Sequence, residues 1–435
     1  MKRSPTRLPL LLCVLFSAVL AAQAQTPAQT PAGTRPRTVT GTQAPTPQSS
    51  GEPEPTPAPR AVMPSSQQTS VPASTAPQQT FPVPAVAQPA PAPLKPLAHQ
   101  LPMSRIRARL AEAQRLFKSR ATPSALTPAS LQTVTLAVLD PDSSQIIQLP
   151  LPKEIFLRKN TEAALPSSAG SMLSARIVRA NGVNTAVIVS DNTGRQLVPL
   201  VVEYPIERNG FFREMAYYTS VHPALLSPEV VRTGESYVRT MLDLAAKRLR
   251  DKGVAIQPAL VDMAERLCIV EHVDHMRFRQ ENRRALFEEI FALYALNELD
   301  TYRYSVSTAG AGGMVQMIPS TYQMIRNAYP GVGLNPDFVN GMRNHGNALE
   351  AMLLYIRDTW SLLASNEDVM AALSNGTATQ PELLAAGYNS NPARLPLYLR
   401  RGGSGWRSLI PRETQMYLQI YASLDSLIPM KRRAS

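Results

Sequence analysis

One carboxylate and one glycine-rich turn carry the chemistry legible in this chain. Glu298 closes an apolar stretch, and nine residues later begins Ser307-Thr308-Ala309-Gly310-Ala311-Gly312-Gly313-Met314-Val315-Gln316. A carboxylic acid just ahead of a turn that permits close backbone approach suits a general acid facing a groove. Gln316 can offer amide hydrogen bonds to hydroxyl or acetamido groups. Leu286, Ile290, Leu293, Tyr294 and Asn297 follow the three-and-four spacing of a buried helical face, and Glu298 lies four residues beyond Tyr294. Apolar and aromatic neighbours are therefore expected around Glu298, and such surroundings disfavour the charged form of a carboxyl. Glu288 and Glu289 are expected to face solvent. Asp300, the nearest second carboxylate, is expected to point away from Glu298.

Other chemistries find less support. Glu271-His272-Val273-Asp274-His275 lacks the His-Glu-x-x-His order and a third ligand, so an exposed helix is expected there rather than zinc. No Ser-His-Asp order, Cys-His pair or phosphate loop is evident, and neither metal nor cofactor is expected. His99, His222 and His345 are single residues in loop-like contexts, and core packing is the commoner fate of Tyr217, Tyr218 and Trp406.

The elements that must position this chemistry follow from composition and period. Lys2, Arg3 and Arg7, the apolar run Leu8 to Ala21 and Ala22-Gln23-Ala24 form the three parts of an export signal over residues 1–24. The run is shorter than the roughly 20 residues that span a bilayer, and no stable transmembrane segment is expected after cleavage. Residues 25–97, rich in Pro, Ala, Gln and Thr, read as a disordered tether. Residues 98–227 read as an amphipathic helix plus a small β-rich module. Ile106, Leu110, Ala113, Leu116 and Phe117 share one face of Met103 to Lys118, and strands are expected at 133–139, 145–149, 175–178, 185–189 and 196–202.

Residues 228–435 read as all-α. Helices are expected at Val230–Lys252, Pro258–Arg277, Glu281–Leu299, Pro319–Asn327, Ala348–Ala364, Pro381–Tyr388 and Pro411–Ser426, with a solvated basic tail at Lys431 to Arg433. The fold class is thus α+β and multidomain. Export would leave Cys268 as the sole thiol, expected to be buried, so no internal disulfide framework is available. The net charge of +12 favours anionic partners. The basic residues are scattered rather than gathered in a stripe, and no nucleic-acid partner is expected.

Over residues 284–424 the chain resembles the catalytic domain of soluble-type lytic transglycosylases, members of the lysozyme-like superfamily that cleave bacterial peptidoglycan. The resemblance rests on Glu298, Ser307, Gly310, Ala311, Gly313, Gln316, Pro319 and Thr321; on Asn347, Ala351 and Tyr355; on Gly387-Tyr388-Asn389-Ser390-Asn391-Pro392; and on Glu413, Thr414 and Tyr417. The family has Ser directly after the acid, where this chain has Leu299, and Gly where it has Asn391. The resemblance implies a secreted, periplasmic or envelope enzyme acting on peptidoglycan glycan strands. In it Glu298 is the single acid/base, and Ser307, Gln316, Tyr388 and Asn389 bind substrate. It also implies cleavage of the β-1,4 bond from N-acetylmuramic acid to N-acetylglucosamine without water, leaving 1,6-anhydro ends. A non-catalytic wall-binding or envelope-assembly protein and a hydrolytic muramidase are the alternatives, and the β-rich module is a candidate surface for envelope protein partners.

Overall fold

The computed structural model describes residues 100–120, 131–208 and 210–434, together with Leu94. The expected export signal and nearly all of the tether, with His99, lie outside the described residues. Helix α1 (Met103–Lys118) has the bounds its period predicts. Ile106, Leu110, Ala113 and Phe117 are buried, while Arg105, Arg107 and Arg115 face water.

Seven strands follow: β1 (Thr133–Leu139), β2 (Ile146–Pro152), β3 (Glu162–Pro166), β4 (Met172–Arg179), β5 (Ala186–Ser190), β6 (Gln196–Arg208) and β7 (Phe211–Tyr218), with a one-turn helix α2 (Lys153–Phe156) after β2. They form one antiparallel sheet in the order β2-β1-β6-β5-β4-β3, and β7 pairs with the far half of β6. The sheet curls nearly into a barrel. Its two ends meet where the Ser168 amide donates to Gln148 O at 2.8 Å and the Gln148 amide to Ser168 Oγ at 2.9 Å. Along β1, consecutive residues Leu136 to Leu139 are all fully buried, so both faces of the sheet are covered there. One covering element is α1, which packs on β6.

β3 and β7 are additions to the strands expected from sequence. β3 carries Ala-Ala in place of β-branched residues, and β7 lacks an alternating pattern. The paired Arg208 and Phe211 are separated only by Asn209-Gly210, a dipeptide that favours two-residue hairpins and was the available signal.

The remainder is helical: α3 (Pro228–Asp251), α4 (Pro258–Val270), α5 (His275–Gln280), α6 (Arg283–Asn297), α7 (Pro319–Ala328), α8 (Phe338–Arg343), α9 (His345–Ala364), α10 (Glu367–Ser374), α11 (Gln380–Asn389), α12 (Leu395–Gly402) and α13 (Arg412–Leu427). The single helix expected over Pro258–Arg277 is two. Asp274 accepts from the amides of Met276 and Arg277 and so starts α5, which the four residues after α4 separate from it. Helix α6 starts on its Asn282 cap and is buried nearly all round, the mark of a central helix. It crosses α3 at Gly234, where a Cβ would sit 1.8 Å from Phe291 O, so only glycine fits.

Three contacts brace the end of α6 against the sheet. The Thr219 amide donates to Asn297 Oδ1 at 2.9 Å, Asn297 Nδ2 returns a bond to Thr219 O at 2.8 Å, and the Tyr302 amide donates to Tyr218 Oη at 3.3 Å. Glu289, expected to face solvent, is instead partly buried between Arg179 of β4 and Arg277 of α5. The expected solvated tail is also corrected. Arg433 docks its guanidinium among Asp243, Asp262 and Glu265, because α3 and α4 there juxtapose three carboxylates that need a cation. Cys268 is buried, as expected, and no disulfide involves it. Among the described residues no helix is long and apolar enough to cross a membrane.

Candidate active site

Glu298 ends α6 with φ 47° and ψ −119°, the dihedrals of the first central residue of a type II′ turn, a glycine position. The same chain gives nearly this conformation, φ 49° and ψ −126°, to Gly403. A non-glycine residue held there stores on the order of 1–3 kcal/mol. Five non-glycine residues among those described have positive φ, and three of them, Glu298, Tyr302 and Gln316, fall in this one region. Clustered strain of this kind marks functional segments.

The apolar envelope expected around Glu298 is not what the chain builds. Its side chain is half exposed, and Oε1 lies 2.9 Å from Arg107 Nη2 of α1. The three-and-four spacing buries Tyr294 and Leu293, but the positive φ turns Glu298 out of the helical register, so its side chain leaves that face. Asp300 is likewise exposed and pairs with Arg303 at 3.3 Å. Leu299, between them, is 61% exposed.

The glycine-rich segment folds into a compact double turn. Val306 bridges Gly312, Gly312 bridges Met317, and Ser307 closes its own loop by accepting the Ala311 amide on Oγ at 3.0 Å. Gly313, at φ 66°, lies where a Cβ would be 2.3 Å from Met342 O, so both its conformation and its packing require glycine. His272 stacks face to face on Tyr302 at 3.3 Å between ring centroids, and its Nε2 donates to Met314 O at 2.9 Å. The exposed helix expected at His272 is therefore a half-buried prop beneath this turn.

Beside it opens a cleft of about 710 Å³. Gln316 to Ile318, α7, α9 and the end of α11 form its walls, with Gln316, Tyr388 and Asn389 from the sequence-derived set on the lining together with Thr321 and Tyr355. Glu298 and Ser307 are not on that lining. Gln316 spends its amide protons on Gly313 O at 2.8 Å and Ser305 Oγ at 3.1 Å, so it offers a ligand its carbonyl oxygen. Tyr388 donates its hydroxyl to Val315 O at 2.7 Å and meets Tyr355 edge-on, leaving an aromatic surface. Burial holds the Tyr388 hydroxyl protonated by pushing its pKa well up.

Asn389 differs from both. Its Oδ1 accepts from Thr414 Oγ1 at 2.9 Å, whereas its buried Nδ2 has no hydrogen-bond partner in the protein. A buried donor without a partner is costly, and here it belongs to a residue that lines the cleft. Asp358, also on the lining, accepts a short bond from Tyr329 Oη and gives the cleft one acidic group.

Sequence reasoning missed Arg107 and Asp358, and the loop-like context expected for His345 is corrected: it is buried as the first residue of α9. Arg107 and Asp358 carry no local signal, since each acquires its role by tertiary contact. His345 follows Asn344, a helix-cap residue type, which locates it at the start of α9 without revealing what its ring meets. The geometry offers one exposed acid on a strained turn, a cation against it, and a neighbouring polar cleft with an unpaired amide donor. No family model matches the chain, no curated protein matches it, and no solved structure matches it.

Proposed function

We propose that this chain is an exported peptidoglycan lytic transglycosylase whose helical portion is lysozyme-like. The observation that carries the reading is the convergence of Gln316, Tyr388 and Asn389, drawn from separate sequence blocks, on one cleft wall, with an orphaned amide proton on Asn389. An acetamido carbonyl is a fitting acceptor for that proton, and Tyr355 and Tyr388 supply rings on which a sugar face can lie. Glu298, protonated, donates to the glycosidic oxygen as the C1–O bond breaks. As a carboxylate it then takes the proton of the muramyl 6-hydroxyl, whose oxygen bonds to C1. The ring closes as a 1,6-anhydro sugar, Glu298 ends protonated, and no water is consumed. One carboxylate serves both steps, unlike the pairs of most glycosidases.

Digestion of purified sacculi by wild type and Glu298→Gln, with mass analysis of the products, tests the reading. Anhydro-ended fragments from wild type alone support it. Fragments heavier by one water assign a hydrolytic muramidase, and fragments that persist in the variant remove Glu298 as the acid. A second reading, a glycan-holding protein without turnover, draws support from the ion pair between Arg107 and Glu298 and from the exposed Leu299. Binding to sacculi without any released fragment would select it.

A further inference from the structure

We infer that His345, backed by Tyr237, is a positioning residue that holds the backbone of Glu298 in its strained conformation and so aims the carboxyl. This rests on the reading of Glu298 as the acid. The connection is a chain of hydrogen bonds through three helical elements. The carbonyl of Glu298 accepts both the amide of Thr301, at 3.0 Å, and its hydroxyl, at 2.8 Å. Thr301 is fully buried, and its own carbonyl lies 2.8 Å from His345 Nε2 at the first turn of α9. His345 Nδ1 in turn lies 2.8 Å from Tyr237 Oη of α3.

The proton positions follow from the acceptors. A carbonyl oxygen can only accept, so Nε2 carries the proton, and the neutral ring presents a bare Nδ1 that accepts from Tyr237. Burial keeps the ring neutral by pushing its pKa down to about 4. Tyr294 of α6 closes the packing, stacking on Tyr237 at 6.2 Å and meeting His345 edge-on at 6.5 Å between centroids. The glycine-like dihedrals of Glu298 persist only if their surroundings over-determine them. Thr301 is the nearest such constraint, and His345 is what prevents Thr301 from turning. Without the Nε2 donor, the carbonyl of Thr301 is left buried and unpaired, and relaxation of residues 298–301 both relieves it and rotates the carboxyl away.

His345→Phe keeps the ring volume and removes both bonds, His345→Gln retains a donor that reaches Thr301 O, and Tyr237→Phe removes only the hydroxyl. In the full chain acting on sacculi, His345→Phe is expected to lower kcat about tenfold or more with KM within about twofold, as misaimed catalytic groups do. His345→Gln is expected to recover most of that loss, and Tyr237→Phe to fall between. Amide hydrogen exchange gives a readout free of catalysis: protection at Thr301, whose amide bonds Glu298 O, falls in His345→Phe while protection across α6 and α9 stays unchanged. Unchanged exchange at the Thr301 amide overturns the inference, as does a rise in KM with kcat unchanged. If His345→Phe fails to fold, Tyr237→Phe decides on the same two measurements. A wild type that releases no fragments refutes the enzyme reading instead, and the exchange result still decides whether His345 holds the turn.

Discussion

Arg107 Nη2, on the helix that precedes the sheet, lies 2.9 Å from Glu298 Oε1 at the end of the central helix. Ile106, Leu110 and Phe117 anchor that helix on the sheet, so the cation is set beside the carboxylate by a packed element rather than by a loose arm. Oε1 must leave this ion pair before it can meet a glycosidic oxygen, so the contact competes with substrate. Arg107→Ala is therefore expected to raise kcat on sacculi, by no more than about fivefold, because half-exposed ion pairs contribute only about 0–1 kcal/mol. Initial rates at fixed low ionic strength check this. A fall in kcat would instead assign Arg107 to stabilising the carboxylate left between the two proton transfers.

The backbone at Glu298 makes a prediction for stability that is independent of activity. Glu298→Ala and Glu298→Gly both remove the carboxyl and its partner Arg107, so their difference isolates the strain at φ 47°. Glycine adopts that conformation freely, although it also gains freedom in the unfolded chain. Glu298→Gly is expected to be the more stable by about 1 kcal/mol in urea unfolding, with both variants inactive. Equal stability would mean that the turn relaxes in the alanine variant.

These relationships mark the boundary of what could be read from residues in order. The period of Ile106, Leu110, Ala113 and Phe117 gave α1 its bounds because it records burial of one face against a surface, and the apolar and β-branched run Thr133 to Leu139 gave β1 although both of its faces are covered from Leu136 on. Gln316, Tyr388 and Asn389 were legible as a set through their motif blocks, and they share a cleft wall. The surroundings of Glu298 were not legible. Helical spacing predicts its neighbours only if the helix continues, and the chain leaves helical geometry at that residue. Arg433 shows the same limit at the other end of the chain: a short basic tail reads as solvated until Asp243, Asp262 and Glu265 from two helices are brought around it.

Asn389 separates recognition from chemistry. Asn389→Asp keeps the oxygen that accepts from Thr414 but exchanges the unpaired donor for a carboxylate oxygen. In the Glu298→Gln background, calorimetric titration with N-acetylated glycan oligomers is expected to show about tenfold weaker binding, the loss of roughly one hydrogen bond. Oligomers stripped of their acetyl groups are expected to bind both forms alike. Equal weakening for both ligands would place the acetamido group elsewhere.

Two buried histidines predict how the fold responds to acid. His345 is held neutral by burial, which pushes its pKa down to about 4 while its bond to the Thr301 carbonyl and the nearby Asp300 oppose the shift. His222 is pushed further, to about 3, by burial and by the nearby Arg179 cation, and its Nδ1 accepts from the Val187 amide at 3.1 Å. Both values lie below the 6.5 of an unfolded histidine. Above pH 6.5 neither state takes up the proton and the stability is whole. As pH falls below 6.5 the unfolded chain binds protons that the folded chain refuses, so stability is lost progressively down to about 4 for His345 and about 3 for His222, and no further below. The loss across these windows is on the order of 3 kcal/mol for His345 and 5 kcal/mol for His222. Asp140, lowered to about 2 chiefly by its bonds to Arg195, adds its own loss only beneath the ordinary carboxylate range. Urea unfolding between pH 7 and pH 4 is expected to show a falling midpoint in wild type, a shallower fall in either His222→Gln or His345→Gln, and a nearly flat response in the double variant.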